Sequence, residues 1–151
     1  MGALMSGRGQ AKGCVATFVE RKTRLYIGIK MPNRSAASMD AAIRKLYHVL
    51  PKIAFQTFTT DWGKEFSCYA TIESDLKIPV YFCDAYSAWQ RGSNENSNGL
   101  LREFFPKRTN FDFVSQNQLQ EAVALIINRP RKCLDWKTPH EAFSEELLHL
   151  I

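Results

Sequence analysis

A chain of 151 residues that is 45% hydrophobic carries enough apolar material for one ordinary core and not for two. Lysine and arginine total 20 against 15 aspartates and glutamates, and the resulting +5 leans toward a polyanionic partner without requiring one. The longest purely apolar run, Ala122–Ile127, is far too short to span a bilayer, the amino terminus lacks the apolar stretch of a signal peptide, and neither cysteines nor histidines fall at zinc-ligand spacing, which excludes a membrane or zinc-stapled protein and places the chain in a reducing cytoplasm.

Residues 1–13 are rich in glycine and small side chains and read as a flexible leader or the remnant of a first edge strand; residues 14–151 read as a single domain. Cys14–Val19 is an apolar, strand-like run, and Leu25, Ile27, Ile29 and Met31 alternate with Tyr26, Gly28 and Lys30 at period two. The two runs make a hairpin whose tip carries Arg21, Lys22 and Arg24, for solubility or for phosphate contact. Ser35 offers a helix cap, and Met39, Ile43, Leu46, Tyr47 and Leu50 recur at helical spacing as far as Pro51. Phe55–Thr60 predicts a strand delivering Asp61 at its carboxyl end, where open α/β sheets place functional groups.

A helix is expected over Glu65–Lys77, then a short strand through Ile78, Val80 and Phe82 closed by Asp84, then a mobile loop over Ala85–Asn94. The next helix is predicted over Glu95–Phe105. On it Gly99 and Arg102 share the face of Glu95, while Leu100, Leu101, Phe104 and Phe105 occupy the opposite arc. A helix from Gln116 carries Leu119, Ala122, Val123, Ile126 and Ile127 on one face and stops at Arg129–Pro130. A last helix opens with the capping box Thr138 to Glu141, with Pro139 at its first position. Cys14, Cys68, Cys83 and Cys133 read as small core residues, and Glu65 and Asp84 as structural carboxylates.

The carboxylate Glu95 lies in a run of amides, and 33 residues separate it from Asp61. In order, the chain carries VERKTR (Val19–Arg24), D-x-G-K-E-F (Asp61–Phe66), WQRG-x-NEN-x-NGLLR (Trp89–Arg102), FPK (Phe105–Lys107), NRPRK (Asn128–Lys132) and KTPHEAF (Lys137–Phe143). Singly each is weak; as an ordered set they resemble the catalytic core of DDE insertion-sequence transposases, within the integrase-like, ribonuclease-H-like superfamily.

The resemblance implies an α/β fold with a mixed sheet flanked by helices, its first strand missing or altered. It implies metal-dependent DNA cleavage and strand transfer, with Asp61 and Glu95 as the second and third acids of a triad holding Mg²⁺ or Mn²⁺. It also implies that Arg102 grips DNA phosphate and that Trp89, Gln90, Arg91, Asn94 and Asn96 position the DNA end; the basic cluster Arg129, Arg131 and Lys132 reads either as a DNA contact or as a solvated loop. The partners implied are insertion-sequence ends, target DNA and further copies of the chain, at a bacterial nucleoid.

One departure bears on activity. The family's first catalytic Asp lies on its first strand, yet residues 1–19 contain no Asp or Glu, and MGAL stands where that strand belongs. Trp62 stands where the family has an amide. The chain therefore reads as amino-terminally clipped and a poor catalyst, with a sheet edge left open for self-association. The alternative is a catalytically inactive remnant that works as a DNA-binding or self-association module; a third reading is an unrelated metal-dependent phosphatase or nuclease.

Overall fold

The computed structural model describes residues 2–6, 13–60, 63–82 and 92–150, with side chains described over 13–60, 63–82 and 95–149. Strand β2, Cys14–Val19, is buried at every position, so its apolar run is continuous rather than alternating, as for a strand covered on both faces. Its side chains divide by parity. Cys14, Ala16 and Phe18 enter one core with Ile29 and Met31, while Val15 and Val19 enter a second with Tyr26.

Strand β3, Tyr26–Met31, pairs antiparallel with β2 in the register Cys14 to Met31 through Val19 to Tyr26. The hairpin tip turns at Arg24, which lies in the left-handed region at φ 62°. Strand β1, Gly2–Ser6, pairs antiparallel with the other edge of β2, from Gly2 opposite Phe18 to Ser6 opposite Cys14. Within the stretch read as a leader or first-strand remnant, residues 2–6 form a strand; residues 7–12 lie outside the described residues. A strand therefore precedes the hairpin. Strand β1 covers this edge of β2 and also lies alongside strand β4, Phe58–Thr60.

Helix α1, Ala36–Val49, starts where predicted, with Ser35 accepting a hydrogen bond from the backbone N–H of Ser38. Met39, Ala42, Ile43 and Leu46 seal the first core. The strand predicted from Phe55 is shorter than expected. Lys52–Ala54 make a 3₁₀ turn, and Phe55 stacks in an aromatic cluster, 5.3 Å from the ring of Tyr47 and 6.0 Å from that of Phe58. Strand β5, Val80–Phe82, pairs parallel with β4. Between them the helix predicted over Glu65–Lys77 divides into a 3₁₀ segment, Lys64–Cys68, and helix α2, Tyr69–Leu76, which ends on Lys77 at φ 59°.

Helices α3, Gly92–Phe104, and α4, Gln116–Ile127, close the opposite face, where Leu101, Leu119, Ala122, Val123 and Ile126 fill the second core. Gly28 permits this approach, because a Cβ there would lie 3.3 Å from the side chain of Leu119. Gln116 and Gln120 also donate to the Gly28 carbonyl, both at 3.4 Å, and Gln116 accepts from Lys30 N–H at 3.1 Å. These amides occupy backbone groups that a bordering strand would otherwise leave open. Helix α5, Pro139–Leu150, opens with the predicted capping box: Glu141 accepts from Thr138 N–H and Thr138 from Glu141 N–H, each at 3.1 Å. The cysteines divide: Cys14 is fully buried, but Cys133, expected in the core, is exposed on the 3₁₀ turn Lys132–Leu134; Cys83 lies outside the described residues.

Candidate active site

Helix α3 carries the candidate chemistry and is aimed by its buried stripe. Ser97 and Leu101 are 2% and 0% exposed, and Phe104 packs against the second core, so positions i, i+4 and i+7 face inward. Glu95, Asn96 and Gly99 are exposed. Glu95 sits in the first turn, where a carboxylate is favoured by the helix dipole, and makes no hydrogen bond or ion pair with any described residue. A Cβ at Gly99 would meet nothing within 4 Å, so the face beside Glu95 has open room. The helix begins at Gly92, so Gly92–Asn94, expected in a loop, already belong to it; the side chain of Asn94 is outside the described residues.

A contact that no sequence pattern announces sets the helix against the sheet. The hydroxyl of Tyr26, on β3, donates to Asn98 Oδ1 at 2.6 Å, across 72 residues of chain. Tyr26 is fully buried, and burial pushes its phenol well above the ordinary value, against smaller opposing effects of a Thr17 hydrogen bond and the Arg102 charge. The phenol therefore remains a neutral donor. Asn98 lies one turn beyond Glu95, so this bond fixes the rotation that keeps Glu95 outward.

Arg102, predicted on the face of Glu95, lies about 10 Å from it along the axis at 1.5 Å per residue. Its Nη1 donates to the carbonyls of Phe105 and Pro106, both at 3.3 Å, and its guanidinium lies 5.9 Å from the ring centre of Phe111. Burial lowers its pKa. It thus satisfies carbonyls beyond the helix end.

Asp61 and Trp62, and the segment holding Trp89, Gln90 and Arg91, lie outside the described residues. Their neighbours are placed: β4 ends at Thr60, and Gly63 leads into the 3₁₀ segment with a Cβ position only 2.8 Å from the Glu65 carboxylate, an approach that glycine allows. Glu65 is 4% exposed and pairs with Arg34 at 3.4 Å. Of the basic cluster, Arg129 is tied to the far end of α3, pairing with Glu103 at 3.5 Å and lying 5.8 Å from the ring centre of Phe104. Arg131 and Lys132 make no side-chain hydrogen bond or ion pair with a described residue.

Among the described residues no three acidic, histidine or cysteine side chains group to hold a metal. A cavity of about 310 Å³ between the hairpin tip and α5 contains none of the predicted site residues. No described helix is long and apolar enough to cross a membrane.

No protein-family profile matches the chain. Over 146 residues, 97% of its length, it is 38% identical to the transposase of insertion sequence IS1086 from Cupriavidus metallidurans, and over 140 residues 38% identical to transposase InsI of IS30A from Escherichia coli. The chain is a homologue of these insertion-sequence transposases. It is also 33% identical over 139 residues to a putative integrase of Spiroplasma virus SpV1-R8A2 B. The homologue spans 43% and 36% of the lengths of the IS1086 and IS30A proteins. Its fold is that of retroviral integrase catalytic cores: the BIV integrase core superposes with a TM-score of 0.72 at 16% identity, covering 98% of this chain and 94% of that one. The HTLV-2 integrase core, solved in complex with magnesium, gives 0.69 at 14% identity, covering 93% and 92%.

Proposed function

We propose that the chain is the catalytic core of a transposase that cuts insertion-sequence ends and joins them to target DNA. The observation that carries this reading is the exposed Glu95 on α3, without an ion-pair partner among the described residues and with open room beside it at Gly99, 33 residues after Asp61 in an integrase-type fold. Phosphodiester cleavage calls for hard divalent ions, about 4 Å apart in two-ion sites, which neutralise charge on the transferring phosphate. The Glu95 carboxylate suits Mg²⁺ or Mn²⁺ as an oxygen donor, and Asp61 is its partner in the reading. Arg102, Trp89, Gln90, Arg91, Asn94, Asn96, Arg129, Arg131 and Lys132 are the proposed DNA contacts. Copies of the chain assembled on DNA are part of the same proposal.

A second reading is favoured by β1. Gly2–Ser6 is paired as a first strand should be, yet GALMS offers no carboxylate. Two acids in place of three weaken metal affinity and leave catalysis poor. The chain then acts as a DNA-binding or self-association module.

Titration with Mn²⁺ by calorimetry separates the two, using the unaltered chain and an Asp61→Asn, Glu95→Gln double variant. Micromolar binding lost in the double variant, with nicking of labelled duplex in Mn²⁺, supports the catalytic core. Absence of Mn²⁺ binding in the unaltered chain overturns it and leaves the DNA-binding module, itself refuted by absence of oligonucleotide binding and of self-association.

A further inference from the structure

The turn after the 3₁₀ segment Lys132–Leu134 places a tryptophan where turn geometry asks for glycine. Asp135 lies at φ 53°, ψ 41° and Trp136 at φ 66°, two successive left-handed residues. Lys137 N–H donates to the Leu134 carbonyl at 3.1 Å, closing a four-residue turn with positive φ at both central positions. That is the type I′ pattern, whose favoured pairs are Asn-Gly and Asp-Gly, so Trp136 occupies the glycine position. A bulky residue there is a true conformational outlier. The turn is held from both sides, since Trp136 N–H donates to the Arg131 carbonyl at 2.9 Å and Arg131 N–H to the Lys137 carbonyl at 3.0 Å.

Packing does not account for the tryptophan, because Trp136 is 67% exposed. Within 129–137 stand Arg129, Arg131, Lys132 and Lys137 with the acid Asp135, while Glu103 on α3 and Glu141 and Glu145 on α5 act on Arg129 and Lys137. Arg129 and Lys137 are committed to Glu103 and Glu145, the latter at 2.6 Å, whereas the side chains of Arg131 and Lys132 have no partner among the described residues. A rigidly displayed indole beside two available cations has the chemistry of a single-stranded nucleic-acid site: the ring stacks on an unpaired base while the cations meet flanking phosphates. Duplex DNA hides base faces within its own stack and offers the ring nothing comparable except at an end.

We propose that Trp136, with Arg131 and Lys132, forms a contact site for unpaired DNA, with Trp136 stacking on a base. The site rests on the reading of DNA as substrate and adds to it a preference for frayed or single-stranded DNA. Its place agrees with that use, because Arg129 fastens the loop to Glu103 and Phe104, about 12 Å along α3 from Glu95.

The test is fluorescence anisotropy with a fluorescein-labelled single strand of about 12 nucleotides, a typical site size, and with the matching blunt duplex. Trp136→Ala should weaken single-strand binding about tenfold and duplex binding less than twofold, while Trp136→Phe should keep most of the affinity because a stacking face survives. Arg131→Ala with Lys132→Ala should weaken both and reduce the slope of log affinity against log salt by roughly 1.4, two phosphates' worth for a single strand. Each variant should melt cooperatively near the unaltered chain, since Lys132 and Trp136 are exposed and Arg131 is half-buried with no side-chain partner among the described residues. Equal single-strand binding by the unaltered chain and Trp136→Ala overturns the proposal while leaving the DNA reading intact. So does Trp136→Phe as weak as Trp136→Ala, or a Trp136→Ala variant that changes sedimentation but not oligonucleotide affinity, which marks a protein contact. Failure of the unaltered chain to bind either oligonucleotide overturns the DNA reading itself.

Discussion

Replacing Tyr26 by Phe removes one oxygen from a fully buried ring and tests whether a single hydrogen bond aims α3. The hydroxyl donates to Asn98 at 2.6 Å and is itself hydrogen-bonded by Thr17, which is fully buried. A net hydrogen bond is worth about 1 kcal/mol, and a buried polar group left without its partner costs about 1–3 kcal/mol. Asn98 is only partly buried and can regain water, so the stranded group is chiefly the Thr17 hydroxyl. The expected loss centres on about 2 kcal/mol, equivalent to a fall in melting temperature of roughly 4–8 °C for a domain of this size. Urea unfolding followed by circular dichroism measures it, with a lower midpoint and an unchanged m-value as the expected pattern. Asn98→Ala and the double variant complete a cycle, whose coupling should reach at least about 0.5 kcal/mol. A midpoint unmoved by Tyr26→Phe, or strictly additive losses, would refute the role given to this contact in fixing the helix.

Two further outcomes are expected. Burial raises the pKa of the Glu20 carboxyl, but hydrogen bonds from Thr23 Oγ1 and N–H, both at 2.6 Å, and from Lys22 N–H at 3.0 Å outweigh it and hold it below 4.5. Because the folded value is lowered, this stabilisation is present above the unfolded pKa and lost as pH falls through the folded one, so Glu20→Gln should lower the urea midpoint at pH 7, by a margin that narrows as the solution is acidified through the folded pKa. Trp136→Asn, which tolerates the left-handed conformation, should stabilise the chain by about 0.5–1 kcal/mol and raise its melting temperature by roughly 2–3 °C, an effect visible by calorimetry. A lower melting temperature would show that the turn carries no strain at Trp136.

The sequence alone determined the faces of the long elements, because a helix or strand that buries one side must repeat its apolar residues at 3.6 or 2. Thus α1, α4 and the β2–β3 hairpin lie where periodicity put them, and α3 buries Leu101 opposite Glu95 as the wheel required. Local hydrogen-bonding chemistry was equally legible in the caps at Ser35 and Thr138. The resemblance carried by the spacing of Asp61 and Glu95 agrees with the transposase homology and the integrase-core fold. The tertiary structure decided what has no period. Gly2–Ser6 offers no strong local signal and becomes a strand because β2 provides an edge to pair with. Phe55 leaves its predicted strand and packs its half-buried ring against Tyr47 and Phe58. Tyr26 finds Asn98 only in the folded chain, since a contact across dozens of residues leaves no repeat in the residues between them, and Trp136 takes a glycine's place in a turn whose backbone conformation its residue type does not favour.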